Sequence, residues 1–187
     1  MKIICAEYND KSQMTVSVVG DNALLRNNED FYIPDFAGSV SCVPQLVVKL
    51  NKLGKGISEQ FAGRYYEEIG VCVRFYADGM EEALKQQGLP YGVASSFDYS
   101  VAMSEQKRWD GAISYRMELN GSELFASKIA DLPVSVDKLI AKASDYYMIK
   151  IGDFLCCGNT FRYRGLKQND RIRMFVNEEC LMDFYIK

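Results

Sequence analysis

The apolar residues of this chain fall in short runs rich in Ile and Val, closed off by turn-forming residues, and that spacing confines it to a fold dominated by strands. Residues 2–6 and 15–19 are two such runs. Residues 46–50, Leu-Val-Val-Lys-Leu, form a third, ended by the turn at Gly54 and Gly56. In residues 69–75 the consecutive Val71, Cys72 and Val73 predict a largely buried strand. Residues 113–119 and 123–127 flank Asn120-Gly121; both residues accept positive φ, which predicts a hairpin. Residues 153–157, 171–176 and 180–186 continue the pattern. Helices are few. Ser58 is placed to cap a short one over 59–64, and one over 80–87 stops at Gly88 with Pro90 beyond. Ser135 caps the clearest, in which Val136, Leu139, Ile140, Ala143 and Tyr147 share one face. With 187 residues, 48% apolar, and no Pro/Ser-rich linker or repeat, the expectation is one α+β domain spanning 1–187, mostly β.

Histidine is absent. That excludes Ser-His-Asp and Cys-His nucleophilic catalysis, His-ligated zinc and any imidazole acid or base within the chain. The cysteines, Cys5, Cys42, Cys72, Cys156, Cys157 and Cys180, include no C-x-x-C pair, and most have apolar neighbours. They read as small buried hydrophobes of a protein kept in the reducing cytoplasm. A net charge of −3 without an extended basic stretch argues against a nucleic-acid partner. No apolar run approaches the roughly 18 residues of a membrane span, so no membrane partner is expected.

Paired carboxylates are equally scarce. No two acidic residues are separated by a single position. Glu67-Glu68, Glu81-Glu82 and Glu178-Glu179 are adjacent instead, and neighbours on a strand point to opposite faces. Gly54-Lys55-Gly56 is too short for a phosphate-binding loop. Arg162-Tyr163-Arg164 reads as a surface loop able to touch an anion, and Trp109 beside Lys107 and Arg108 as packing.

Several segments, in order along nearly the whole chain, resemble the fumarylacetoacetate hydrolase family, the C-terminal catalytic domain in its short bacterial form. They are Met1-Lys2-Ile3-Ile4-Cys5; Asn22-Ala23-Leu24-Leu25 with Phe31-Tyr32-Ile33-Pro34-Asp35-Phe36; Leu46-Val47-Val48-Lys49-Leu50 with Gly54-Lys55-Gly56-Ile57-Ser58; Lys85-Gln86-Gln87-Gly88-Leu89-Pro90-Tyr91 running into Ala94 and Ser96-Phe97-Asp98; and Ile151-Gly152-Asp153-Phe154-Leu155 with Gly158 and Leu166-Lys167-Gln168-Asn169-Asp170. The resemblance implies a mixed, twisted β-sheet roll with short peripheral helices, commonly paired into homodimers. It also implies Mg²⁺ or Mn²⁺ held by carboxylates, gripping an oxo-acid substrate and stabilising an enolate for hydrolysis, decarboxylation or isomerisation.

At the positions that carry this chemistry the chain departs from the family. The family's two metal glutamates fall on Val43 and Gln45, its metal aspartate on Arg74 and its lysine on Ser95. The lid segment is short and holds no His/Glu pair. A fixed cation about 4 Å from a dication costs about 8 kcal/mol at an effective dielectric of 20. The expectation is therefore no bound metal and no catalytic residues. Arg74 has two readings: a plug neutralised by Asp78 or Asp98, or a clamp for a ligand carboxylate. Tyr76, Gln45 and Ser95 would line the surviving pocket as uncharged donors, with Val43. Three functions follow: a non-catalytic structural or regulatory partner, as a homodimer or with an active paralogue; a hydrolase or isomerase of oxo-acids by an altered route; or a metal-free binder of a small carboxylate.

Overall fold

The computed structural model describes residues 1–9 and 13–187. Twelve strands are found among them: β1 (Lys2–Tyr8), β2 (Met14–Gly20), β3 (Leu24–Leu25), β4 (Val40–Leu50), β5 (Tyr66–Ala77), β6 (Val101–Met103), β7 (Ser114–Leu119), β8 (Ser122–Lys128), β9 (Phe154–Cys156), β10 (Tyr163–Arg164), β11 (Arg171–Val176) and β12 (Glu179–Tyr185). Three α-helices accompany them: α1 (Glu59–Ala62), α2 (Asp78–Gln86) and α3 (Val136–Tyr146). The larger sheet runs β2-β1-β9-β4-β5-β6-β3, with β10 pairing β4 off this path. Its β1/β9 and β3/β6 pairs are parallel and the rest antiparallel, so the sheet is mixed. A second sheet, β12-β11-β7-β8, is antiparallel throughout. The architecture is the mostly-β roll with short helices that the resemblance implied.

Alternation along the strands assigns each residue a face. On one face of the large sheet Ile3, Cys5, Val47, Cys72, Val101, Met103, Phe154 and Cys156 make a small apolar cluster. The opposite face, with Ile4, Leu46, Val48, Val71, Val73 and Phe75, belongs to the main core shared with Met117, Ile172, Met174 and Phe184 of the second sheet and Leu139 and Ile140 of α3. Phe31 stacks on Phe75 there, ring centroids 3.7 Å apart. Trp109 packs against the same core and donates its indole N–H to the Ile69 carbonyl at 2.8 Å.

Local signals gave several elements their observed form. Asn120 and Gly121 take φ of 54° and 85°, the left-handed pair that a tight hairpin needs. Ser135 accepts a hydrogen bond from the Lys138 N–H at 3.3 Å, capping α3, whose Val136, Leu139, Ile140 and Ala143 are buried. Two elements differ from expectation. α1 is a single turn, and Ser58 makes no capping hydrogen bond. β4 starts at Val40 rather than 46 and runs through Pro44. A proline inside a central strand is disfavoured because it removes a ladder donor. Here the strand tolerates it because one flank is unpaired around that position.

Candidate functional site

β9 pairs with β4 at Val47, Val48 and Lys49, and β10 pairs with it at Ser41 and Cys42. Residues 43–46 have no strand partner on that flank, and Pro44, with no N–H to give, sits in this gap. The chain between β9 and β10 fills part of it. Cys157 donates its N–H to the Leu46 carbonyl at 2.8 Å, and the Asn159 side-chain amide donates to the Pro44 carbonyl. Gly158 makes the approach: its φ is +67°, and a Cβ there would lie 2.5 Å from the Ala6 carbonyl oxygen. A pocket of ≈ 330 Å³ opens over the gap, lined among others by Glu7, Tyr8, Val43, Gln45, Tyr76 and Arg162.

Arg74 lies beneath that pocket. In the β4/β5 register Val43 stands opposite Arg74, Gln45 opposite Cys72 and Ser41 opposite Tyr76. Directly opposed residues share a face, so these six side chains project to one side. The Arg74 side chain is 0% exposed. Its Nη1 donates to Glu7 Oε1 at 2.5 Å and its Nη2 to the Ser95 carbonyl at 3.2 Å. Glu7 Oε1 also accepts from the Ser17 hydroxyl at 3.0 Å, and Oε2 from the Tyr76 hydroxyl at 3.2 Å. Burial opposes the Arg74 charge, but the neighbouring Cys5, Tyr76 and Glu7 groups outweigh it and hold the guanidinium above its ordinary pKa. Burial also raises the Tyr76 phenol, with Glu7 adding to it, so Tyr76 stays a protonated donor at neutral pH. Among the described residues, two buried polar atoms of this site, Arg74 Nε and Gln45 Oε1, have no hydrogen-bond partner.

The sequence-derived positions divide into three groups. Val43, Gln45 and Tyr76 line the pocket; Arg74 is under its floor; Ser95 is outside it, contributing a carbonyl to Arg74 while its hydroxyl donates to the Gly92 carbonyl at 3.2 Å. Ser95 is thus no side-chain donor to the pocket. The acid that neutralises Arg74 is Glu7, and neither Asp78 nor Asp98. Asp78 accepts from Ser41 at 2.8 Å and pairs with Arg162, and Asp98 accepts from Asn22 at 2.6 Å. Arg162 is a pocket wall rather than a solvated loop residue: its Nε donates to Ser41 at 2.6 Å, Nη2 to Glu81 at 2.9 Å, and its Cζ lies 4.2 Å from the centre of the Tyr76 ring. Sequence reasoning missed Glu7 and Ser17. Glu7 had one signal, an acid at the end of the alternating Ile3-Cys5-Glu7 face.

A hard divalent ion needs several oxygen donors, carboxylates above all. Val43 offers none and Gln45 a single amide oxygen, while Arg74 is a cation. Glu7, the nearby carboxylate, is already engaged by Arg74, Tyr76 and Ser17. The donor set at this pocket does not fit Mg²⁺ or Mn²⁺. Among the described residues no group of three or more His, Cys, Asp or Glu side chains is arranged to hold a metal ion.

Three thiols continue the same face beneath Arg74. Cys5 is the cross-strand neighbour of Cys156, and Cys156 Sγ lies 3.4 Å from Cys72 Sγ. The hydrogen bond that Cys5 donates to Cys156, and then burial, raise the Cys5 pKa. Burial pushes Cys157 up to about 12. Five of the six cysteines are buried and Cys180 is exposed. Native protein treated with iodoacetamide at neutral pH is therefore expected to be alkylated at Cys180, with all positions reacting once it is unfolded; native labelling of Cys72 or Cys156 by peptide mass spectrometry would contradict this burial.

No family model matches the chain. The mitochondrial oxaloacetate tautomerase FAHD1 of Mus musculus is 26% identical over 99% of this chain and 91% of its own length. The protein of that name from Rattus norvegicus is 24% identical over the same shares. Among solved structures, a fumarylacetoacetate hydrolase family protein of Yersinia pestis superimposes with a TM-score of 0.88 at 19% identity, covering 100% of this chain and 92% of that one. A fumarylpyruvate hydrolase of Pseudomonas aeruginosa, solved with Mn²⁺ and pyruvate, gives 0.88 at 12% identity, covering 100% and 89%. The fold is that of the fumarylacetoacetate hydrolase C-terminal domain. In sequence the chain is similar to these FAHD1 proteins, and in fold to solved structures of fumarylacetoacetate hydrolase family proteins.

Proposed function

We propose that this chain is a family member without divalent-metal chemistry, a cytoplasmic protein acting as a structural or regulatory partner in a homodimer or beside an active paralogue. The observation that carries the reading is the Arg74–Glu7 ion pair, with Arg74 fully buried opposite Val43. The resemblance puts a metal aspartate at position 74 and a metal glutamate at 43; here an internal cation and its own counter-ion take that place. Its relatives carry the names of enzymes, so the test must look for both metal and turnover. Calorimetric titration of chelator-treated protein with Mn²⁺ to about 1 mM, the weak end of ordinary binding, is expected to show no saturable site. Oxaloacetate tautomerisation and acylpyruvate hydrolysis should stay at the buffer rate. One Mn²⁺ per chain together with turnover would overturn the proposal and restore an oxo-acid hydrolase or isomerase.

A second reading, a metal-free site for a small carboxylate, rests on Arg164. This residue lines the pocket with a 67% exposed side chain and one long contact to Asp78, 3.5 Å. Arg74, with no exposed surface, is not available as the clamp. A thermal shift with oxalate or pyruvate that disappears in Arg164→Ala, and persists unchanged in Arg26→Ala, whose arginine lines a separate surface cavity, would favour this reading over the first.

A further inference from the structure

Outside the pocket, the surface beyond the end of β4 combines apolar side chains with unpaired charge. Two segments meet there, residues 52–55 after β4 and residues 146–151 after α3. Gly54 and Ile149 join them through backbone hydrogen bonds in both directions, 3.1 and 2.8 Å. Ile149 is buried and pins the pair, while its neighbours project outwards. Ile151 is 73% exposed, Leu53 64%, Tyr146 57% and Met148 46%.

Lysines alternate with these apolar residues. Lys52, Lys55 and Lys150 are exposed, and among the described residues none of them forms an ion pair. Lys55 instead donates to the Asp145 carbonyl at 2.9 Å, and the Lys142 ammonium lies 5.0 Å from the centre of the Tyr146 ring. Residues 52–56 and 146–152 hold no acid, in a chain whose net charge is −3. Asp145 precedes the second segment and Asp153, buried and paired with Lys2, follows it.

We propose that this double-loop tip docks the protein onto an anionic lipid surface. The side chains protrude and line neither the pocket over Arg74 nor the two larger surface cavities. Protruding aliphatic tips flanked by lysines suit insertion into a headgroup layer, and tyrosine suits the boundary between headgroups and chains. A second copy meeting this face through its own would set lysine against lysine, which disfavours self-association here. The lack of a membrane span speaks to crossing a bilayer, whereas this surface requires contact alone. Each lysine near an anionic leaflet strengthens partitioning roughly fivefold, an effect that salt screens.

The test is flotation of the full chain with vesicles of phosphatidylcholine, with and without about 30% phosphatidylserine. Binding is expected to the anionic vesicles at about 50 mM salt and to be lost at about 300 mM. Ile151→Glu and Lys52→Glu should each weaken it about fivefold or more while leaving the unfolding midpoint unchanged. Failure of the wild-type protein to float with anionic vesicles, or equal flotation of the variants, overturns the proposal. So does a change of oligomeric size in Ile151→Glu by light scattering, which would make this an interface between proteins.

Discussion

Glu7→Gln is expected to lower the unfolding free energy by about 3–5 kcal/mol, the range for removing one partner of a buried ion pair. Arg74 has no solvent to turn to, and its Nε already lacks a partner. Removing the carboxylate leaves the guanidinium with the Ser95 carbonyl, the Tyr76 ring and a weaker amide acceptor. For a chain of this size the midpoint temperature should fall by roughly 10 °C. Adding Arg74→Met to Glu7→Gln should recover most of the loss, because apolar filling of such a site is commonly neutral or better. Urea unfolding checks both values. A loss below about 1 kcal/mol, the level of an exposed pair, would show that Glu7, 29% exposed in its side chain, is not what neutralises Arg74.

The second large effect is a gain. The variant Val43→Glu, Gln45→Glu, Arg74→Asp, Ser95→Lys is expected to bind Mn²⁺ where the wild-type protein does not. Removing the guanidinium lifts its repulsion of a dication and frees the Glu7 carboxylate that now neutralises it. Three new carboxylates then stand near Glu7 on one face. Without metal they repel one another, so the variant should be less stable than wild type until Mn²⁺ is added. At a concentration about 100 times the dissociation constant, binding restores about 2.7 kcal/mol. Turnover is not expected, since the chain holds no histidine to activate water. A variant that folds, yet gains neither Mn²⁺ binding nor Mn²⁺-dependent stability, would show that Val43, Gln45 and Arg74 do not mark the family's metal positions.

Elements with local signals were legible in the sequence. The 120–121 turn and the α3 cap depend on a few adjacent residues, and both formed as the residues indicated. The first half of β4 was not legible, because Pro44 is a sound local argument against a central strand. What overrides it is a break in pairing made by two distant segments, β9 and β10. The site was read from family resemblance, which placed Val43, Gln45 and Arg74 without their surroundings. Register then put Val43 opposite Arg74 on one face. The neutralising acid was sought near Arg74 in sequence, at Asp78 and Asp98. It came from Glu7, 67 positions away, because β1 and β5 lie on the same curled sheet with β9 and β4 between them. Strand order of that kind has no local signature.

The unpaired flank at Pro44 bears on how such a scaffold can drift. Side chains of residues 43–46 can be exchanged without breaking a strand pairing on that flank, because none forms there. The seam thus separates the inheritance of shape from the inheritance of chemistry, and a lineage can rewrite the second while its barrel-like wall stays intact.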